Sequence, residues 1–140
     1  SEMCIRDSFR SYWAPPMENL LTAILLLVGF INFVPLIGVL GRTRLESLYG
    51  VTLSDENLVT LMRHRAVLFG IVGGYIMTAA FRVEMRPAAY AAGFLAMVPY
   101  VVLVGLNGQA NAAIRRVAAV DVVAIVLLSA ALVVEFLQRG

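Results

Sequence analysis

Charge and reactive side chains are scarce in this chain. Only 14% of its residues are charged, against about 25% in an ordinary soluble domain. The single cysteine, Cys4, cannot form an internal disulfide or a CxxC redox pair. The single histidine, His64, has no second histidine or carboxylate cluster to complete a zinc site. These absences remove several enzyme classes, and we predict no catalytic residues, no metal and no cofactor.

Lysine is absent altogether, and all eleven basic residues are arginine. They form no basic stripe of the kind that binds the phosphates of nucleic acid. We therefore predict no nucleic-acid partner.

What the sequence has in abundance is apolar residues, which make up 61% of the chain. They fall into four long runs, each near the roughly 20 residues that span a hydrocarbon core about 30 Å thick. The runs predict an all-α protein, an integral membrane up-and-down four-helix bundle whose surroundings are the lipid bilayer. The four predicted helices cover about 18–40, 55–81, 87–106 and 111–137, within one transmembrane domain at 17–140.

Residues 1–16, SEMCIRDSFRSYWAPP, differ from everything that follows, because they mix charge, aromatic residues and two prolines without an apolar run. They do not form a signal peptide. The string SEMCIRDS is similar to translated adapter sequence, so we expect a non-native or disordered leader and a natural start at Met17. The alternative is a short amphipathic anchor that uses Phe9, Tyr12 and Trp13.

Local signals mark the ends and bends of the predicted helices. Pro35 predicts a kink in the first helix. The connector 41–54 is expected to lie on the membrane surface, with Arg42 and Arg44 reaching lipid head groups and Gly50 ending any short helix. Ser54 is the predicted N-cap of the second helix.

A small set of polar residues lies inside the apolar runs: Asn32, Arg63, His64, Arg65 and Asp121. Helix two and helix four both start from the same side of the predicted bundle, which brings Asp121 to about the depth of His64. A buried charge costs about 2.5–3.5 kcal/mol on insertion scales, so we expect pairing and favour Arg65 as the partner of Asp121. The pair either fixes helix register or forms a ligand or proton site.

The arginines also predict an orientation. One side of the predicted bundle carries Arg42, Arg44, Arg63, Arg65, Arg115 and Arg116, and the other carries Arg82, Arg86 and Arg139. The positive-inside rule places the larger group in the cytoplasm. We therefore predict a multi-pass protein of the bacterial cytoplasmic (inner) membrane with both termini in the periplasm.

From Met17 onward the chain resembles a group of small bacterial four-helix membrane proteins. The resemblance rests on ENLLTAILLLVGFINFVPLIGVL, LESLYGV and LMRHRAVLFGIVGG. Members are often labelled phosphopantetheine adenylyltransferase, but that enzyme needs an H-x-G-H motif and this chain has one histidine. The layout is more distantly similar to the DoxX-like superfamily, some of whose members are linked to quinone-coupled sulfur oxidation. The cysteine motifs of its redox members are absent here.

Two functions from different classes follow. The first is a non-enzymatic accessory or oligomeric membrane subunit, with a homo-oligomer or a membrane redox partner. The alternative is a carrier or binder of a small anionic or quinone-like ligand at the Arg63, His64, Arg65 and Asp121 cluster. A small multidrug exporter is a weaker fit, because such proteins use a glutamate deep in helix one whereas Glu18 lies at its start.

Overall fold

The computed structural model describes the backbone of residues 2–139 and the side chains of that range apart from residues 2, 3, 6–14 and 38–40. Across residues 2–139 the fold is entirely helical and contains no strand, so the predicted all-α class is confirmed. The helices are α1 (Glu2–Phe33), α2 (Arg42–Tyr49), α3 (Glu56–Ala79), α4 (Arg86–Leu106) and α5 (Ala112–Arg139). Short 3₁₀ segments cover Val34–Leu40 and Val83–Met85.

The first helix differs from its predicted bounds at both ends. Its α-helical part ends at Phe33, and the chain continues as a 3₁₀ segment instead of reaching residue 40 with only a kink. Pro35 explains this change, because proline has no N–H to donate and its ring clashes with the carbonyl four residues earlier. At the other end the helix begins at Glu2, well before the predicted start near Glu18. That the leader 1–16 is non-native stays a prediction.

The connector between the first two long helices is partly as predicted. It contains the short helix α2, and Gly50 ends it with a left-handed φ of 62° and an N–H donated to the carbonyl of Glu46 at 2.8 Å. The predicted cap at Ser54 is wrong by one residue. Asp55 is the N-cap, with extended backbone and a carboxylate that accepts the N–H of Asn57 at 2.8 Å.

The four long helices share one core. Within the described residues α1 packs against α3 and α5, and α4 packs against the same two helices. The fully buried apolar side chains include Leu21, Leu25, Val28, Ile76, Met97 and Leu128. A second, smaller core lies under α2 and contains Leu45, Tyr49, Leu53 and Val59.

α1 and α3 approach each other most closely at two glycines. A Cβ atom added to Gly73 would lie 2.5 Å from the carbonyl oxygen of Gly29, which backbone cannot accommodate. A Cβ added to Gly74 would meet nothing within 4 Å. Gly70 and Gly74 have the spacing of a small-xxx-small packing face, but Gly73 and not Gly74 makes the close approach to α1.

Three segments among the described residues are long and apolar enough to cross a membrane: Pro15–Ile37, Val83–Leu106 and Ala112–Arg139. They indicate a membrane protein. α3 is also long enough at 24 residues, but it carries Arg63-His64-Arg65 near its start and does not belong to this set. Large apolar side chains face outward on all of these segments, such as Phe30, Leu95 and Phe136, as lipid contact requires.

Candidate functional site

A cavity of about 270 Å³ lies where α1, α2, α3 and α5 meet. We call it the Arg65 cavity. Its wall is apolar except for five polar side chains: Asn32, Tyr49, Arg65, Arg116 and Asp121. Its outer edge includes Phe30 and Val120, whose side chains are exposed at the surface of the helices. The cavity therefore joins a polar interior to a surface that faces lipid in a membrane.

Arg65 is held by aromatic rings. The guanidinium carbon lies 4.4 Å from the ring centroid of Tyr100, 5.1 Å from that of Phe69 and 5.3 Å from that of Tyr49. Phe69 follows Arg65 by four residues on α3, so the two side chains share one helix face. A desolvated cation over a ring face gains about 2 kcal/mol. The three rings come from α2, α3 and α4 and fix the guanidinium at the cavity wall.

Asp121 lies in the same cavity and is buried. The predicted ion pair is wrong: among the described residues no ion pair joins Asp121 to Arg65. The reason is local, because Arg65 is drawn onto the aromatic rings of α2, α3 and α4 while Asp121 comes from α5. Both groups line the cavity without neutralising each other in direct contact.

Asn32 supplies a further polar group to this cavity and is buried at 1% exposure. Its amide nitrogen donates to the carbonyl of Val28 at 2.9 Å and contacts the sulfur of Met97 on α4 at 3.4 Å. The side chain of Asn32 therefore makes a contact across to α4, and its acceptor there is a thioether. The amide oxygen Oδ1 is buried and has no hydrogen-bond donor within the described part of the protein.

The other two residues of the predicted cluster lie elsewhere. Arg63 and His64 are exposed and do not line the cavity. Successive helix residues point about 100° apart. Because Arg65 faces the cavity, the two residues before it, Arg63 and His64, point in other directions and are exposed. The structure thus brings together Asn32, Arg65 and Asp121 and leaves Arg63 and His64 outside.

Tyr49, like Leu48, lines the cavity from the connector helix α2 and lies outside the spanning segments. Burial raises the pKa of its phenol, and the Arg65 charge opposes that rise. The hydroxyl therefore stays protonated at neutral pH and can both donate and accept a hydrogen bond.

A second polar region lies at the opposite end of the four long helices, and the sequence reasoning did not find it. Arg86 is almost fully buried, and its Nε and Nη2 donate to the carbonyls of Ala79 and Ala80 at 3.2 and 3.0 Å. Nη2 also lies 2.6 Å from the carboxylate of Glu18, and Nη1 lies 3.9 Å from that of Glu135. We call this set the Arg86 network. It joins the middle of α1 to the C-terminal ends of α3 and α5 and to the start of α4.

In the sequence Arg86 lies in the turn between the second and third predicted helices, and its burial was not predicted. A usable signal was present: Glu18 near the start of the first predicted helix and Glu135 near the end of the last lie on the same side as that turn. Glu135 is buried and is also 2.9 Å from Arg139. Two acids inside the ends of apolar runs require a cation, and Arg86, at the start of α4, lies close to both of them.

No group of three or more His, Cys, Asp or Glu side chains that could hold a metal occurs in the described part of the chain.

A comparison of the chain with protein-family models, with curated proteins and with solved structures found no match in any of the three.

Proposed function

We propose that this chain is a multi-pass protein of the bacterial cytoplasmic membrane, with four spans in an up-and-down bundle and both termini in the periplasm. Three apolar helices support three of the spans, and α3 would be the fourth. Arg63 and His64, in the N-terminal half of α3, are long or polar side chains that can extend toward the interface. The arginine excess at the end that carries α2 supports the orientation.

The orientation is tested by labelling introduced cysteines in intact cells with a membrane-impermeant thiol reagent. In a Cys4→Ser background, Glu84→Cys should be labelled without permeabilisation and Gln109→Cys only after it. Both positions are exposed, so accessibility within the fold does not limit the reaction. Labelling of position 109 alone in intact cells would contradict the proposed orientation.

Within this membrane protein, we infer that the Arg65 cavity binds a small amphipathic molecule with a quinone-like head group. The observation that carries this proposal is that Arg65 and Asp121 line one cavity without an ion pair between them. Charged groups inside a membrane are costly, and unpaired ones mark candidate functional sites.

The polar groups favour a head group that both accepts and donates hydrogen bonds. A quinone carbonyl accepts from the guanidinium of Arg65. In the reduced form, a hydroxyl at the opposite end of the ring donates to the carboxyl of Asp121 or to the unpaired oxygen of Asn32. A simple anion would satisfy Arg65 but would meet the Asp121 carboxylate and offer Asn32 no donor. The quinone-like half of the predicted ligand class is therefore the better fit.

The size and opening of the cavity agree with this ligand. Its 270 Å³ is slightly below the roughly 300–1,000 Å³ of ordinary ligand pockets, so it suits a head group and not a whole long-chain lipid. The apolar tail would leave beside Phe30 and Val120 toward the bilayer. A subunit that binds a quinone in this way is compatible with the accessory role predicted from the sequence, because a membrane redox partner would use the same molecule.

The test is a calorimetric titration of the detergent-purified protein with decylubiquinone. We expect micromolar binding by the wild type. Arg65→Gln and Asp121→Ala should each weaken it at least tenfold, or about 1.4 kcal/mol. The matched control is Arg63→Gln, which removes an exposed arginine two residues away and should change the affinity less than twofold.

Absence of binding by the wild type would overturn the proposal, as would an equal loss in Arg63→Gln and Arg65→Gln. A parallel titration with laurate distinguishes the ligand classes. Tighter binding of laurate than of decylubiquinone would replace the quinone-like ligand by an anionic one.

A further inference from the structure

A second pocket of about 310 Å³ lies between the 3₁₀ segment after α1, the helix α2 and the first turns of α5. We call it the Arg44 pocket. Its polar lining consists of Arg44, Ser47 and Arg116. The remaining wall is apolar and includes Ile37, which is itself 46% exposed at the rim. A pair of cations and a hydroxyl thus stand beside an apolar trough that opens outward.

The two arginines of this pocket have no carboxylate partner among the described residues. The contrast with a neighbour is informative. Arg42, two residues before Arg44, forms an ion pair with Glu56 across the start of α3. Of the two connector arginines that the sequence assigned to lipid head groups, Arg42 is therefore already neutralised, and Arg44 keeps its donors for another molecule.

We propose that the Arg44 pocket binds the phosphate head group of an anionic phospholipid. Two guanidinium groups match the oxygens of a phosphate, and the hydroxyl of Ser47 adds a donor. Ile37 and the apolar wall would contact the first part of an acyl chain. Basic pockets between membrane helices on the cytoplasmic side are suited to anionic head groups, and this pocket lies at the arginine-rich end. The proposal depends on the membrane orientation given above but not on a ligand in the Arg65 cavity.

Free phosphate shares the chemistry of the head group but not of the acyl chain. An exposed pocket for free phosphate would need no apolar trough, whereas a lipid site does. The apolar lining therefore favours the lipid as the source of the phosphate.

The experiment measures binding of dioctanoyl phosphatidylglycerol to the detergent-purified protein by microscale thermophoresis. We expect the wild type to bind it at least tenfold tighter than dioctanoyl phosphatidylcholine. Arg44→Gln should weaken phosphatidylglycerol binding at least fivefold, and Arg44→Gln with Arg116→Gln at least twentyfold. The matched control, Arg63→Gln with Arg115→Gln, removes the same charge from exposed positions outside the pocket and should change the affinity less than twofold.

Three results would overturn the proposal. These are equal affinity for the two lipids, equal losses in the two double variants, and competition by inorganic phosphate at the concentration at which phosphatidylglycerol binds. The thermal midpoint of each variant without lipid checks that the fold is retained.

Arg116 also lines the Arg65 cavity, so Arg44→Gln is the variant that separates the two sites. It should leave decylubiquinone binding unchanged, while Arg65→Gln should leave phosphatidylglycerol binding unchanged. Failure of one site is therefore distinguishable from failure of the other.

Discussion

Arg86 and Arg65 are both arginines inside a largely apolar protein, and their surroundings differ in kind. Arg86 is 2% exposed and contacts two carboxylates and two helix-terminal carbonyls. Arg65 is only partly buried and lies over three aromatic rings at the wall of a cavity. In the Arg86 network the charge is matched by protein groups. In the Arg65 cavity the charge is oriented by ring faces, with no carboxylate in direct contact among the described residues.

This difference separates a structural charge from a candidate binding charge. Arg86 donates to two carbonyls at the C-terminal end of α3, where a cation also complements the helix dipole. The same guanidinium contacts residues of α1, α5 and the C-terminal end of α3. Arg65 forms no ion pair within the described part of the chain, and under the proposed function its charge is available to a molecule in the cavity. Substitutions at these two regions test whether Arg86 is a structural charge and Arg65 a binding charge.

The largest effect is expected from Arg86→Leu. This change leaves Glu135 without one of its two cations and removes the donors from the carbonyls of Ala79 and Ala80. Breaking a buried ion pair costs about 3–5 kcal/mol, and we expect the free energy of unfolding in detergent to fall by about that amount. The measurement is a denaturant titration followed by circular dichroism.

Arg82→Leu is the matched control for this change. Arg82 belongs to the same turn, but it is mostly exposed and lies 3.7 Å from an equally exposed Glu84. Exposed pairs contribute about 0–1 kcal/mol, so the control should lose no more than about 1 kcal/mol. Similar losses in the two variants would show that Arg86 is not the structural centre of this end.

A smaller loss is expected at the helix crossing that lies between the two polar regions. Gly73→Ala would push a methyl group against the backbone of Gly29 and separate α1 from α3. Forced overpacking of this kind costs about 1–3 kcal/mol. Gly74→Ala has open space around the new methyl group and should be neutral or slightly stabilising. Equal stability of the two variants in the same denaturant titration would place the close approach elsewhere.

Much of the fold could be predicted from the sequence because hydrophobic runs and helix ends are local properties. The boundaries after Tyr49 and Leu106 follow from glycine and a polar turn, and Asp121 faces inward because its apolar neighbours on α5 do. The end of α1 at Phe33 was missed because a proline either kinks or ends a helix according to what packs around it. That choice depends on tertiary contacts.

The candidate site could be predicted only in part, for a related reason. The sequence singled out Asn32, Arg65 and Asp121 among the polar residues inside apolar runs, and the structure brings these three to one cavity. The sequence could not show that Tyr49, Phe69 and Tyr100 converge on Arg65, because these rings come from three different helices. The sequence therefore predicted that Arg65 pairs with Asp121, the acid at a similar depth in the bundle. In the structure the faces of aromatic rings hold the guanidinium instead.

The measurement that tests this account most directly is a double-mutant cycle on Arg65 and Asp121. The free energies of unfolding are measured for the wild type, Arg65→Leu, Asp121→Leu and the double variant, without added ligand. Residues that share a cavity can couple by about 0.5–3 kcal/mol, and because no ion pair joins these two among the described residues we predict a coupling energy at the lower end, below about 1 kcal/mol. The same cycle on Arg86 and Glu135 should give about 1–3 kcal/mol. A coupling energy above about 1 kcal/mol between Arg65 and Asp121 would show that they pair with each other, and would contradict the claim that their charges are held available for a ligand.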